Sequence, residues 1–116
     1  MNKQELEYRA LKLLEKQPNM TQRQIAKELN VSLGKTHYLI KSLIDVGWVK
    51  FDNFQRSDKK WGYAYLLTPN GIIEKAVITA QFLTRKQREF SDLQIEIQEL
   101  QEEIKQNKKT KAGLSI

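Results

Sequence analysis

Apolar residues in the N-terminal half of the chain recur at helical spacing in three short blocks, separated by polar breaks. The first block predicts a helix from Gln4 to Lys16, which ends at the turn signal Pro18-Asn19. The inward face of this helix is predicted to contain Leu6, Ala10, Leu11, Leu13 and Leu14. A chain that opens with such amphipathic blocks is expected to build a small helical core.

The second block predicts a short helix that begins after Thr21. The Thr21 hydroxyl can cap the helix, and Gln24, three residues later, can complete a capping box. The apolar face consists of Ile25, Ala26 and Leu29. Asn30 and Val31 then interrupt the pattern, so we expect a tight turn at this point.

The third block predicts a helix from about Ser32 to Val46, with Ser32 as the cap and Gly47 as the residue that stops it. Its inward stripe is predicted to contain Thr36, Leu39, Ile40, Leu43 and Ile44. The residues left outside this stripe are small, basic or aromatic and include no acid: Leu33, Gly34, Lys35, His37, Tyr38 and Lys41.

Two short helices around a tight turn are typical of a helix-turn-helix, whose second helix enters the DNA major groove. Candidates for base contact are Leu33, Gly34, His37 and Tyr38. Candidates for phosphate contact in this part of the chain are Thr21, Gln22, Arg23, Ser32, Lys35 and Lys41. An alternative stays open, in which Tyr38 lies on the second helix while His37, Gln22 and Arg23 face solvent.

After Gly47 the pattern changes to WVKFDNF, then a polar stretch QRSDKK, then WGYAYLL. Two strands joined by a charged loop are predicted, which is the wing of a winged helix. Arg56, Lys59 and Lys60 concentrate positive charge in this loop and are candidates for phosphate contact. The alternative is an ordinary hairpin that only closes the core.

Thr68 and Pro69 open a last helix, as cap and first helical residue, and it is predicted to run to about Gln106. A helix of that length would span about 57 Å. Its apolar residues follow a heptad pattern, and this seam is formed by Leu83, Phe90, Leu93, Ile97, Leu100 and Ile104. Isoleucine at a with leucine at d favours a parallel two-stranded coiled coil, although antiparallel pairing, a larger assembly and folding back onto the same domain stay open.

Charge separates the two halves of this chain of 116 residues, whose net charge is +6. Residues 1–88 carry 16 Lys and Arg against 8 Asp and Glu, whereas residues 89–106 carry 1 against 6. This segregation favours a head that binds a polyanion, joined to a helix with a different role. The chain has no cysteine and His37 is its only histidine, which argues against disulfides and histidine-rich metal sites.

The predicted fold is mostly α with a small β-hairpin, a winged helix-turn-helix followed by a long C-terminal coiled-coil helix. Its predicted parts are a DNA-binding domain over residues 1–68, a dimerisation helix over 69–106 and a flexible basic tail over 107–116. The expected function is homodimeric, sequence-specific binding of double-stranded DNA, without catalysis or cofactor. The alternative is a winged-helix module that binds proteins. Without a signal peptide or a long apolar run, a cytoplasmic location away from membranes is expected.

Several segments carry a more specific resemblance: QPNMTQRQIAKELNVSLGKTHYLIKSLIDVGWVK, the strand and turn GYAYLLTPNGI, and FLTRKQREF with the helix that follows. The chain resembles the EPS-associated (exopolysaccharide) transcriptional regulators grouped with the MarR family, from Leu11 to about Lys105. The resemblance implies a bacterial, dimeric DNA-binding regulator associated with surface-polysaccharide genes. It leaves open whether a small-molecule effector binds, whether the regulator represses or activates, and which operator it reads.

Overall fold

The computed structural model describes residues 2–55 and 61–114, and these form four helices and two strands. The elements in chain order are α1 (Lys3–Lys16), α2 (Gln22–Leu29), α3 (Leu33–Asp45), β1 (Val49–Gln55), β2 (Trp61–Leu67) and α4 (Pro69–Leu114). A helix-turn-helix, a hairpin and a long final helix therefore follow one another, so the predicted fold, mostly α with a small β-hairpin and a long C-terminal helix, is confirmed.

Side-chain caps determine where the first three helices begin. Asn2 caps α1 by accepting a hydrogen bond from the Glu5 amide at 2.8 Å. Thr21 and Gln24 form the predicted capping box at the start of α2. The turn into α3 passes through Asn30, which has a left-handed conformation with φ of 57°, a geometry that asparagine tolerates better than most residues. These local signals explain why the helix starts could be predicted from the sequence.

The core lies where α1, α2, α3 and the hairpin meet. Its largest fully buried side chains are Leu11, Leu14, Ile25, Leu29, Ile40, Leu43, Val49 and Thr36. The buried Thr36 hydroxyl donates to the Ser32 carbonyl at 2.9 Å, which satisfies its polar group within the helix. The prediction that Ile44 belongs to the core is wrong. Ile44 is 37% exposed, because it lies at the edge of the inward stripe, beside the cleft between α3 and the hairpin.

The hairpin is antiparallel, with a register that runs from Val49 opposite Leu67 to Gln55 opposite Trp61. Tyr65 is buried, and its amide donates to the Pro18 carbonyl at 2.9 Å, which attaches β2 to the turn after α1. The connecting loop, including Arg56, Lys59 and Lys60, lies outside the described residues.

A compact junction connects the end of α3, the start of β1 and the start of α4. Gly47 has φ of 80°, the left-handed stop that the sequence predicted. The Thr68 amide donates to the Trp48 carbonyl at 3.0 Å, and the Thr68 hydroxyl donates to the Gly47 carbonyl. The same hydroxyl accepts from the Gly71 amide at 3.0 Å, so Thr68 caps α4 as predicted.

The first turns of α4 belong to the same compact unit as the helix-turn-helix, since that unit extends to Phe82. Ile78 is buried, the rings of Tyr8 and Phe82 stack with centroids 5.1 Å apart, and the Lys75 ammonium lies 3.2 Å from the Glu15 carboxylate. The sequence placed the boundary earlier, at Thr68, because the caps of a helix indicate where it begins but not where its packing ends.

The second compact unit begins at Leu83 and is the remainder of α4. The helix continues to Leu114, so residues 107–114 are helical and not the loose tail that the sequence predicted. No proline or glycine stands between Gly71 and Gly113, and lysines near a helix C-terminus interact favourably with its dipole. The predicted end near Gln106 was therefore placed too early.

Candidate nucleic-acid interface

The outward face of α3 is formed by Gly34, Tyr38 and Lys41, which are spaced four and then three residues apart. This spacing places them on one side of the helix, opposite the buried stripe of Thr36, Ile40 and Leu43. Tyr38 is 76% exposed, although tyrosine is a side chain that folded proteins usually cover in part. Of the two positions considered for Tyr38, the exposed one is observed.

Two clefts flank this outward face. Towards α1 lies a cleft of about 270 Å³, where Lys35 and Tyr38 of α3 meet Lys3 and Leu6 of α1. Towards the hairpin lies a shallower cleft of about 220 Å³, and its lining residues are Gln22, His37, Ile40, Lys41, Ile44, Phe51 and Tyr65. The base-contact candidates therefore lie on the outward face of α3 and along its two sides.

His37 is exposed on the hairpin side and is held there by a neighbouring helix. Its Nδ1 atom lies 3.3 Å from Oε1 of Gln22, the first residue of α2. The Gln22 Nε2 atom donates to the Tyr65 hydroxyl at 3.2 Å. Gln22 was predicted to contact phosphate or face solvent, and this pair of hydrogen bonds has no signature in the sequence.

The hydroxyl groups of Thr21 and Ser32 cap the two helices of the motif. Thr21 Oγ1 accepts from the Gln24 amide at 3.1 Å, and Ser32 Oγ accepts from the Lys35 amide at 3.0 Å. Each hydroxyl keeps its own hydrogen to donate, and the helix N-termini next to them favour an anion. Arg23 is exposed in the first turn of α2, so this end of the motif suits a phosphate.

An acid stands at the far end of the same helix. Asp45, the last residue of α3, is exposed, whereas the residues of the outward face nearer the N-terminus are neutral or basic. A carboxylate opposes the approach of a phosphate backbone. The N-terminal half of α3 is therefore the part suited to polyanions, a distinction that the prediction over Ser32 to Val46 did not make.

The aromatic residues of the hairpin form a cluster beside the cleft. The Phe51 ring centroid lies 5.5 Å from that of Tyr65 and 6.0 Å from that of Tyr63. Burial raises the pKa of the Tyr63 hydroxyl above its ordinary value of 10.0, and the neighbouring Tyr65 raises it further. These rings pack against one another and support the floor of the cleft.

The predicted dimerisation residues all lie in the second unit, on one side of α4. Leu83, Phe90, Leu93, Ile97, Leu100 and Ile104 are between 45% and 61% exposed. Six large apolar side chains at heptad spacing on one helix form a continuous stripe. Lys86, which falls on the stripe, lies 3.2 Å from the Glu89 carboxylate.

Within residues 2–55 and 61–114, none of the helices has the length and apolar content needed to cross a membrane. The same residues contain no cluster of three or more acidic or histidine side chains that could hold a metal ion.

Comparison with known families identifies the N-terminal half. Residues 3–50 match the family model described as winged helix-turn-helix DNA-binding. The chain contains a winged helix-turn-helix domain. The match covers α1, α2, α3 and the start of β1, and the hairpin that follows is the wing. A comparison with the curated proteins finds no match.

Solved structures share the fold of this winged-helix domain. MepR, a transcription regulator of the Staphylococcus aureus multidrug efflux pump MepA, shares 21% identity over 75% of this chain and 63% of its own, with a TM-score of 0.53. S. aureus MarR in complex with salicylate and kanamycin shares 15% sequence identity, over 74% of this chain and 56% of its own, with a TM-score of 0.54. Streptococcus pneumoniae FabT in complex with DNA shares 21% sequence identity, over 74% of this chain and 58% of its own, with a TM-score of 0.50.

The chain spans less than two thirds of the length of these three structures. At identities this low, the likeness establishes the fold of the winged-helix domain.

Proposed function

We propose that this chain is a transcription regulator of the MarR type that binds specific sites on duplex DNA as a homodimer. The family match over residues 3–50 supports DNA binding, and the solved structures with the same fold include a regulator in complex with DNA. The segments around SLGK and GYAYLLTP resemble those of the EPS-associated regulators, which supports surface-polysaccharide genes as targets. The function is binding, without a catalytic step.

The observation that carries this proposal is the outward face of α3. Tyr38 stands exposed at its centre, with Gly34 one turn before it and Lys41 one turn after it. The major groove accepts one α-helix, and an exposed face with donors and little bulk can reach the base edges there. Leu33 and His37, at the side of this face, complete the set of base-contact candidates.

Phosphate contacts would orient α3 in the groove. Lys35 and Lys41 are exposed on either side of the helix, and Arg23 with the capped N-terminus of α2 provides a third point of contact. We also propose phosphate contacts for Arg56, Lys59 and Lys60, because they are positively charged and lie in the sequence between the two strands. Such contacts add affinity for any sequence and make binding sensitive to salt.

Pairing of two chains would occur through the seam on α4. Its six side chains are about half exposed, and an apolar stripe of this length in water favours a second copy with the same stripe. In a parallel pair, Glu89, Glu96 and Glu103 at g would face Gln94, Gln101 and Lys108 at e. Two heads related by a two-fold axis would bind a palindromic site with half-sites about one helical turn, or a multiple of it, apart.

A gel-shift assay with mixed genomic DNA at low and high salt tests the proposal. Binding that weakens steeply with salt is expected, and the alanine triple variant of Arg56, Lys59 and Lys60 should bind less tightly with a smaller salt dependence. Unchanged binding by this variant would remove the wing from the interface. Absent or salt-independent binding by the wild type would favour a winged-helix module that binds proteins. Genomic footprinting would then test the surface-polysaccharide genes as targets.

A further inference from the structure

Three side chains from three elements are connected beside the outward face of α3. Tyr65 of β2 is 8% exposed, Gln22 of α2 is half-buried, and His37 of α3 is exposed. The Gln22 amide lies between the other two, 3.2 Å from the Tyr65 hydroxyl through Nε2 and 3.3 Å from His37 Nδ1 through Oε1. A buried ring is thus connected through one amide to an exposed imidazole.

The orientation of the Gln22 amide determines which nitrogen of His37 carries the proton. The Gln22 Oε1 atom can only accept a hydrogen bond, so His37 Nδ1 must donate to it. In the neutral imidazole the other nitrogen, Nε2, then has no proton and is an acceptor. The tautomer of a histidine is generally set by the partner of its other nitrogen, and here that partner is Gln22.

The surroundings hold the Gln22 side chain in place, with its Nε2 towards Tyr65 and its Oε1 towards His37. Its Nε2 donates to a tyrosine whose ring packs against Phe51 and Tyr63, so the anchor has little freedom to move. The groups that face His37 across the cleft are Lys41 on its own helix, Gln22 on α2, Phe51 on β1 and Tyr65 on β2. Among the described residues that line this cleft none is acidic, so no carboxylate competes with Gln22 for the imidazole.

We propose that Gln22 is a positioning residue for sequence recognition, which holds neutral His37 with Nε2 as an acceptor facing the DNA. This inference rests on the proposed function, in which α3 enters the major groove. An acceptor there matches the amino groups of adenine and cytosine, whereas guanine presents acceptors at O6 and N7 and thymine an acceptor and a methyl group. His37 therefore selects adenine or cytosine at one position of each half-site.

The tautomer can be measured in the free protein, without DNA. His37 is the only histidine, so the ¹⁵N NMR signals of one labelled imidazole report on it alone. In neutral His37 of the wild type, Nδ1 is expected to carry the proton, and Gln22→Ala is expected to shift the population towards protonated Nε2. Tyr65→Phe should move it in the same direction, because the amide then loses its anchor. The matched control Tyr63→Phe, which removes a neighbouring hydroxyl, should leave the tautomer unchanged.

The consequence for recognition can be measured by selection from a pool of randomised DNA duplexes. The wild type should enrich adenine or cytosine at one position of each half-site, and Gln22→Ala should reduce that preference about fivefold, as expected for one hydrogen bond. Preferences at the other positions should persist.

The outcomes separate this inference from the function on which it rests. Loss of preference at a single position, together with the tautomer shift, supports the positioning role. A wild type with protonated Nε2, or a Gln22→Ala variant that selects the same sites, overturns the positioning role but leaves DNA binding standing. A wild type that enriches no sequence and binds no duplex overturns the proposed function as well.

Discussion

Gly71 lies directly against the main chain of Trp48, so a methyl group at position 71 would stand 1.9 Å from the Trp48 carbonyl oxygen. That oxygen already accepts the Thr68 amide at 3.0 Å and is held by the backbone at the start of β1. The first turn of α4 therefore rests on the chain that leaves α3. Only a residue without a side chain allows the two segments to approach this closely.

Gly71→Ala should lower the stability of the winged-helix domain. The added methyl group meets backbone atoms that cannot rotate away, and overpacking of this kind costs about 1–3 kcal/mol. Urea unfolding followed by circular dichroism measures the change in the free energy of unfolding. An unchanged midpoint would mean that the first turn of α4 does not rest on Trp48 in solution.

Gly34→Ala should have the opposite effect on stability and is the matched control. A Cβ at position 34 would meet no atom within 4 Å, and alanine in place of glycine within a helix contributes about 1 kcal/mol. If the backbone of α3 approaches the base edges at Gly34, the same variant should bind DNA more weakly while being more stable. A stabilised variant with unchanged affinity would exclude Gly34 from the interface.

Local chemistry explains how much of this fold could be predicted from the sequence. The capping box at Thr21, the cap at Ser32 and the stop at Gly47 act through the nearest few residues, so their positions were correct. The burial of Ile44 was not, because its exposure depends on where the hairpin lies relative to α3.

The candidate site shows the same division between local and distant effects. Helical spacing places Tyr38 outside the apolar stripe of α3, but the sequence left open whether it lies on α2 or is exposed as observed. The contacts of Gln22 with His37 and Tyr65 join residues 15 and 43 positions away in the chain. Periodicity within one element carries no information about such a pairing. Contacts of this kind require the folded chain.

Tyr63→Phe should change the dependence of stability on pH, and only in the alkaline range. Burial, and then Tyr65, raises the pKa of Tyr63 in the folded protein above 10.0. Its contribution is therefore fully present below about pH 10 and is lost as the pH rises through the raised pKa, since the unfolded chain ionises first. Thermal unfolding between about pH 9 and pH 11 should show a shallower decline for the variant. Tyr38→Phe, at an exposed position, is the control, and equal slopes for wild type and Tyr63→Phe would contradict the prediction.

Tyr38 and Lys41 should differ in what they contribute to DNA binding. Lys41→Ala removes a charge suited to phosphate, so binding should weaken for all sequences and its salt dependence should decrease by about one ion. Tyr38→Ala removes a side chain at the centre of the outward face, so the selected sequence should change instead. Competition assays between selected and random duplexes at several salt concentrations distinguish the two. If Tyr38→Ala instead weakened binding equally for all sequences, Tyr38 would contact phosphate and not bases.

Ile97→Lys should convert the proposed dimer into a monomer. Ile97 is at an a position near the middle of the seam, and a lysine there would place two charges against each other in the core of the coiled coil. Gln98→Lys adds the same charge one residue later, at position b away from the seam, and should leave the dimer intact. Sedimentation equilibrium measures the mass of both variants. If both keep the wild-type mass, the seam does not hold the assembly together.

The direction of pairing can be determined with a cysteine, because the natural chain has none. Ile104 lies at the C-terminal end of the seam, so in a parallel pair Ile104→Cys meets its own copy and oxidises to a covalent dimer. In an antiparallel pair the a positions of one helix pack against the d positions of the other, so Ile104→Cys would not meet its own copy and no covalent dimer would form. We expect the covalent dimer of a parallel pair. Parallel pairing sets the glutamates at g against neutral or basic residues at e, whereas antiparallel pairing would bring the glutamates together; the residues concerned are Glu89, Glu96 and Glu103 at g, and Gln94, Gln101 and Lys108 at e.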